Sequence, residues 1–274
     1  MTALVVRRLL VDLEAPFERR WNGGDAFRSA FFDALSMSFP AGEQFFIDAV
    51  RAGVAQLPAG RREAFEAEAR GFVGQEATHR RIHALFNAQL AHQGLVNAWE
   101  GRIAARAQRL VGADPRHVVA ITAATEHFTA IFAEHLLSTA EALEGTEERL
   151  RTLWQWHAAE ESEHRCTAFD LYLALGGSLA WRRRWMRLVT FFFATDLARQ
   201  TLRNLHHDSA LFSWATWRSA ARFLFGAEGL VRRTWTPWRA YFAAGFHPSQ
   251  QGGQRGAQWL ADNAAQLVAV GEPG

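Results

Sequence analysis

Apolar residues recur at helical spacing along most of the chain, and turn or cap residues divide this pattern into helices. Asp25 and the Asp114-Pro115 pair mark helix starts, and Ser38 with Pro40 predicts a second start after a break. No stretch alternates in the way that predicts a β-strand. The pattern therefore predicts an all-α fold in which four long helices form an antiparallel bundle. The predicted helices cover residues 25–35, 38–56, 59–92, 98–111, 115–143 and 147–175.

The C-terminal third differs from the predicted bundle in composition, because seven of the 11 Trp residues lie in 178–274 together with many Arg. The favoured interpretation places helices of this segment against the bundle or a second subunit, with Arg stems covering apolar area. The other interpretation is a basic, aromatic surface that lies on an anionic membrane. The predicted division is an N-terminal arm and short helix in 1–37, the bundle in 38–177, and a packed helical extension in 178–274.

One predicted helix carries two histidines and a carboxylate on a single stripe. His157, Glu161 and His164 stand at i, i+4 and i+7, and they fall within about 60° of one another around a helix. Apolar residues flank the segment on both sides. Charged groups on a core-facing stripe are costly unless they are paired or coordinated. A bound metal ion is the simplest compensation.

The pattern Glu-x-x-His occurs twice on predicted helices, at 76–79 and at 161–164. Four-helix carboxylate di-metal proteins use this spacing, and they take one further carboxylate from each of two other helices. Such a Glu stands on the preceding helix in both halves of the chain, 33 residues before the first motif and 35 before the second. The predicted metal ligands are Glu43, Glu76, His79, Glu126, Glu161 and His164, with His157 as a seventh. The alternative for His157 is a hydrogen bond to a ligating Glu without metal coordination.

Residues around the predicted ligands are assigned supporting roles. His83 lies one turn beyond His79, where it would line a pocket or hydrogen-bond a ligand. Glu160 would accept a hydrogen bond from a ligating histidine, and Glu163, Glu134 and His135 are predicted to be similar partners or surface groups. The phenylalanines expected to form a substrate pocket are Phe39, Phe46, Phe72, Phe128 and Phe132.

These residues and motifs resemble those of known protein families. The ligand set resembles that of ferritin-like di-iron carboxylate proteins, which include ribonucleotide reductase small subunits, bacterial monooxygenases and desaturases. His157 resembles the third histidine of di-iron arylamine N-oxygenases. Over nearly the whole chain, the sequence is similar to the bacterial family labelled "predicted metal-dependent hydrolase". The strings that carry this similarity are Gln75-Glu76-x-x-His79, Glu126-His127, Trp156-His157-x-x-Glu160-Glu161-x-Glu163-His164 and Phe246-His247-Pro248.

The resemblances imply a ferritin-like bundle that holds two metal ions. A set of four Glu and two or three His without thiolate suits iron, with an iron–manganese pair as the alternative, rather than structural zinc. The favoured function is an O₂-activating oxidase or oxygenase that acts on a small, largely apolar substrate with an external electron donor. The alternatives are a hydrolase with a metal-activated water and a non-catalytic metal-binding or storage protein.

Other features of the sequence constrain function less. The dipeptide His207-Asp208 resembles HD-type hydrolases but lacks the partner histidine spaced before it. All 30 basic residues are Arg, the formal net charge is only +2, and we expect no nucleic-acid partner. The single cysteine, Cys166, excludes an internal disulfide framework. Without an evident signal peptide or an apolar stretch of about 18 residues, a cytoplasmic protein is expected, and a homodimer is an open option.

Overall fold

A computed structural model describes residues 4–270 of the chain, and it confirms the all-α prediction. The described residues form ten α-helices and one small two-stranded antiparallel sheet. None of these helices is both long and apolar enough to cross a membrane. The elements are β1 (Arg7–Leu9), α1 (Ala26–Ala55), α2 (Ala59–His92), α3 (Trp99–Gln108), α4 (Pro115–Ser138), α5 (Glu148–His164), α6 (Thr167–Ala174), α7 (Leu179–His207), α8 (Trp214–Phe225), α9 (Leu230–Ala240), α10 (Gln254–Asp262) and β2 (Leu267–Ala269).

The central bundle is made of α1, α2, α4 and α5, with α6 continuing beyond α5. The predicted helix starts are confirmed at Asp25, whose side chain accepts a hydrogen bond from the Arg28 amide, and at Asp114, which accepts from the Arg116 amide. Short connections join α1 to α2 and α4 to α5, and each of these pairs packs together. Each half of the repeated sequence pattern therefore forms one pair of neighbouring helices in the bundle.

The predicted break before Ser38 is wrong, because α1 runs without interruption from Ala26 to Ala55 and contains Pro40. Proline has no amide hydrogen, so the carbonyl four residues earlier loses its helical partner. That carbonyl belongs to Ser36, and it accepts a hydrogen bond of 2.9 Å from Asn87 Nδ2 on α2. The neighbouring helix therefore satisfies the backbone group that Pro40 leaves free, and α1 crosses the predicted boundary between 37 and 38.

The second half of the bundle departs from prediction at two helix ends. α4 ends at Ser138, and a 3-10 turn at Glu141–Leu143 replaces its predicted last residues. The predicted single helix over 147–175 is two helices, α5 and α6, which meet at Arg165 and Cys166. The Arg165 side chain donates hydrogen bonds to the carbonyls of Pro248 and Gly252. These contacts with the C-terminal segment accompany a helix break that no Gly or Pro marks in the sequence.

The C-terminal helices pack against the bundle on several sides. α7 contacts α1 and α4, α8 contacts α1 and α9, α9 contacts α4, and α10 contacts α5 and α4. Arg182 on α7 donates hydrogen bonds to the carbonyls of Tyr241 and Ala243, which follow α9. The division of the chain into an arm, a bundle and an extension remains a prediction.

The predicted N-terminal arm contains one strand of the small sheet, which the sequence analysis did not predict. β1 pairs with β2 from the far end of the chain, with Arg7 opposite Ala269. Gln75 on α2 anchors the same arm by donating a hydrogen bond of 2.9 Å to the Val5 carbonyl. Because this strand depends on a distant partner, local alternation of apolar and polar residues did not reveal it. The pairing holds Arg7 over the bundle.

Candidate metal centre

The seven residues predicted as metal ligands lie together in the middle of the bundle. They come from four helices, and none has more than 4% of its surface exposed. α1 contributes one carboxylate, α2 and α5 contribute the Glu-x-x-His pairs, and α4 contributes another carboxylate. The seven are Glu43, Glu76, His79, Glu126, His157, Glu161 and His164.

Two overlapping groups of these residues have the spacing of a metal site. One ligand atom from each of Glu76, His79, Glu161 and His164 can be chosen so that all lie within 4.8 Å of one another. The same holds for a second group, in which His79 joins Glu43 and His157. Because His79 belongs to both, the two groups adjoin.

Glu161 lies at the centre of the cluster, and three imidazoles face one of its oxygens. Its Oε1 is 3.0 Å from His157 Nε2, 3.4 Å from His79 Nδ1 and 3.6 Å from His164 Nε2. Glu126 lies outside both groups but touches the cluster through its Oε2, which is 2.8 Å from His164 Nδ1. One carboxylate therefore links the histidines of both halves of the repeat.

Many buried polar atoms of the cluster have no hydrogen-bond partner in the described part of the chain. Burial of such atoms without a partner is costly, whereas coordination to a cation satisfies them. All are oxygen or nitrogen atoms, the donor types that iron and manganese accept. The atoms are both carboxylate oxygens of Glu43 and Glu76, Glu126 Oε1, Glu161 Oε2, His79 Nδ1 and His164 Nε2. This donor set fits metal ions held between the four helices.

The pKa values of the cluster carboxyls also indicate missing positive charge. Burial raises the pKa of Glu43 and of Glu76 well above the usual range, and it raises that of Glu126 to about 7. Burial acts on Glu161 in the same direction, but the charge of His164 and the hydrogen bonds of the other two histidines hold its pKa well below the usual range. Three carboxyls therefore resist ionisation unless a cation offsets their burial.

Comparison with known proteins gives one match. A model of the family described as "predicted metal-dependent hydrolase" matches residues 5–252, which include every helix that contributes to the cluster. The chain belongs to this family. No curated protein and no solved structure matches it.

In this member of the family, hydrogen bonds on the far side of His79 hold its ring. His79 Nε2 lies 2.9 Å from Glu160 Oε2, and Arg7 Nη1 lies 3.1 Å from the other oxygen of that carboxylate and 2.7 Å from Glu163 Oε2. Burial lowers the pKa of His79, but its contacts with Glu160 and Glu161 outweigh burial and raise it to about 10. Sequence reasoning proposed Glu160 for this role and missed Arg7, which only the β1–β2 pairing brings here.

A second chain of hydrogen bonds leads away from His157. Its Nδ1 lies 2.6 Å from His83 Nε2, and His83 Nδ1 lies 2.9 Å from Ser36 Oγ, which donates to Asn87 Oδ1 at 2.8 Å. Burial lowers the pKa of His157 to about 4 and that of His83 well below its usual range, so both rings are neutral. Sequence reasoning missed Ser36 and Asn87; the only signal for them was Pro40, which frees the Ser36 carbonyl.

An apolar cavity of about 480 Å³ reaches the cluster, and His157 and Glu161 form part of its wall. Phe39, Phe128 and Phe132 are among the predicted pocket residues that line it. The other two do not. Phe46 lines a neighbouring cavity of about 350 Å³, and Phe72 packs its ring against His164 at a centroid distance of 5.0 Å.

The remaining candidates lie away from the cluster. Glu134 and His135 line a separate cavity with His127 and Arg255, and Glu134 pairs with Arg255. In the dipeptide resembling HD-type hydrolases, His207 Nδ1 lies 2.7 Å from Arg19 Nη1, and Asp208 pairs with Arg20. Within the described residues, neither Glu134 and His135 nor His207 and Asp208 form a hydrogen bond or ion pair with the cluster.

Proposed function

We propose that the chain is a di-metal carboxylate enzyme that activates O₂ and oxidises a small, largely apolar substrate. The metals are two iron ions, with an iron–manganese pair as the alternative, and an external electron donor supplies the reducing equivalents. The chemistry that such a centre supplies when loaded is binding and reductive activation of O₂. The proposed ligands are Glu43, Glu76, His79, Glu126, His157, Glu161 and His164.

The observation that carries this proposal is that two cluster residues, His157 and Glu161, also form the wall of the apolar cavity. They are the only titratable side chains among the lining residues of that cavity. A substrate held there would meet the cluster through an apolar environment that excludes water. Such surroundings suit oxidation of an apolar group better than hydrolysis, which needs groups that bind a polar bond and a water molecule.

The protein would keep the ligands in place by the hydrogen bonds on their outer sides. Glu160 accepts from His79 and leaves Nδ1 of that ring facing Glu161. The neutral His83 fixes the orientation of His157 through its own hydrogen bond. Partners of this kind set the tautomer and the basicity of a ligating histidine. The cavity phenylalanines would bind and orient the substrate and exclude bulk water.

A metal-dependent hydrolase is the alternative, because that is the description of the family. In this case the ligands would lower the pKa of a bound water, which would attack a polar bond. The two functions differ in their need for O₂ and for electrons. A hydrolase works equally well without either.

Metal analysis of freshly purified protein tests the proposal first. We expect about two metal ions per chain, mostly iron, with anomalous scattering at the iron edge between α1, α2, α4 and α5. The protein loaded with ferrous iron should consume O₂ and change its near-ultraviolet absorption. A zinc-loaded protein that hydrolyses esters or amides under anaerobic conditions and ignores O₂ would overturn the oxidase proposal.

A further inference from the structure

The apolar cavity beside the metal cluster opens at the surface between α7, α8 and α9. Its lining includes the buried His157 at one end and exposed residues at the other. Leu202 on α7, Trp217 on α8 and Val231 on α9 are each more than 40% exposed and line the cavity. These three residues mark the mouth through which a substrate would pass.

Large exposed aromatic residues surround this mouth. Trp214 stands three residues before Trp217 on α8, and Trp235 stands four residues after Val231 on α9, so each shares a helix face with a mouth residue. Trp214 is 78% exposed and Trp235 is 55% exposed, and no residue of α9 is fully buried. We define the docking surface as Leu202, Trp214, Trp217, Val231 and Trp235, together with Phe225, which is 65% exposed at the end of α8. An apolar area of this kind marks a site of interaction.

The docking surface is set among arginines. Residues 211–240 contain five Arg and one acidic residue, Glu228, although the formal net charge of the whole chain is only +2. Arg218, Arg232 and Arg239 are exposed and form no ion pair with any residue between 4 and 270. The positive charge is therefore available to an external partner.

We propose that this docking surface binds an anionic lipid bilayer, and that the apolar substrate passes from the bilayer into the cavity. Trp and Phe side chains favour the boundary between headgroups and acyl chains, and Arg binds the anionic headgroups. The route for the substrate rests on the proposed function, whereas the membrane contact does not. The substrate would be a lipophilic molecule dissolved in the membrane.

Charge favours a bilayer over a second copy of the chain. A two-fold dimer through this surface would place the same patch on both sides of the contact. The unpaired arginines of the two copies would then face each other without acidic partners. An anionic membrane instead offers complementary charge to all of them.

Vesicle flotation of the full-length protein tests the docking surface. The probes are vesicles of phosphatidylcholine alone and vesicles with about one third phosphatidylserine, because anionic lipid supplies the attraction. We expect flotation with the anionic vesicles only, and weaker flotation at high salt. The double variant Arg218→Glu/Arg232→Glu should bind at least about tenfold less. The aromatic variant Trp214→Ser/Trp235→Ser should also lose binding without any change of charge.

The matched control is Arg70→Glu/Arg81→Glu, because both arginines are exposed on α2 and that helix contributes no residue to the cavity. This control should float like the wild type. Absence of flotation with anionic vesicles, or an equal loss in the control, would overturn the proposal. So would a homodimer in sedimentation that the Trp214/Trp235 variant dissociates. Metal content, measured on the same preparations, separates failure of this inference from failure of the proposed function.

Discussion

The two halves of the repeated ligand pattern contain the same ligand types in different surroundings. His157 stands four residues before Glu161, whereas the corresponding position before Glu76 holds Phe72. His83 stands four residues after His79, whereas the position four after His164 holds Ala168. Each additional histidine therefore occurs in one half of the repeat only.

The packing of α2 against α5 brings the two additional histidines, His83 and His157, next to each other. The ring of His83 lies 4.7 Å from that of His157, and His157 lies 4.3 Å from His79. At the other end of the cluster, Phe72 packs against His164. One end is thus rich in imidazole and the other is apolar, so the two candidate metal positions have different surroundings.

The largest effect is expected for the carboxylate that joins the two halves. Glu161→Gln removes the charge that faces His79, His157 and His164 at 3.0–3.6 Å. We expect metal affinity at both positions to fall by more than about a hundredfold, beyond the usual effect of an outer hydrogen-bond partner. Elemental analysis after dialysis measures it, with the exposed Glu66→Gln on α2 as control. Retention of two metals by Glu161→Gln would contradict the central role of this residue.

The next prediction separates the two ends of the cluster. His157→Ala should lower occupancy of one metal position and change the absorption spectrum after exposure to O₂, because it removes a neutral donor near Glu43 and His79. His135→Ala removes an equally buried histidine outside the cluster and should change neither. If His157 only hydrogen-bonds a ligating carboxylate, the variant will keep both metals and an unaltered spectrum, and the seven-ligand proposal fails.

A smaller effect is expected for the outer partner of His79. Glu160→Gln weakens the hydrogen bond that orients this ring and should reduce metal affinity by roughly 10–100-fold. Glu163→Gln is the matched control, because Glu163 shares Arg7 with Glu160 but, within residues 4–270, forms no hydrogen bond or ion pair with a cluster histidine. Competition with a chelator gives both affinities. Equal losses in the two variants would show that Arg7, and not Glu160 itself, matters for His79.

The last prediction concerns a buried carboxyl on α1 outside the cluster. Asp33 Oδ1 accepts a hydrogen bond of 2.8 Å from Trp21 Nε1, and burial raises the pKa of Asp33 from 3.8 to about 8. The unfolded chain releases this proton at about pH 4, whereas the native protein holds it until about pH 8, so the free energy of unfolding falls as pH rises through that window.

Replacement of this carboxyl by an amide removes its titration and keeps an acceptor oxygen. The quantity compared is the free energy of unfolding of Asp33→Asn minus that of the wild type. We expect this difference to be about 1–3 kcal/mol more favourable to the variant at about pH 7.5 than at about pH 5. Urea unfolding of the metal-free protein at both pH values measures this difference, with the exposed Asp48→Asn on the same helix as control. A difference independent of pH would show that Asp33 ionises normally in the native protein.

The sequence alone determined the features that depend on helical periodicity. His157, Glu161 and His164 share a stripe because the helix has a fixed number of residues per turn. The second Glu-x-x-His and the two preceding glutamates then predicted which helices must meet. The structure brings these residues together, with Glu126 joined to the cluster through His164. Caps such as Asp114 marked helix starts correctly because capping is a local hydrogen bond.

Features that depend on partners distant in the chain could not be predicted from the sequence. Pro40 predicts a helix break by itself, but Asn87 accommodates it from α2. Arg7 reaches Glu160 because β1 pairs with β2 near the opposite end of the chain. The cavity likewise combines residues from six helices, so its shape follows from packing and not from any local pattern. Local helix geometry determined which residues could act together as ligands. Contacts between distant parts of the chain determined which residues surround them.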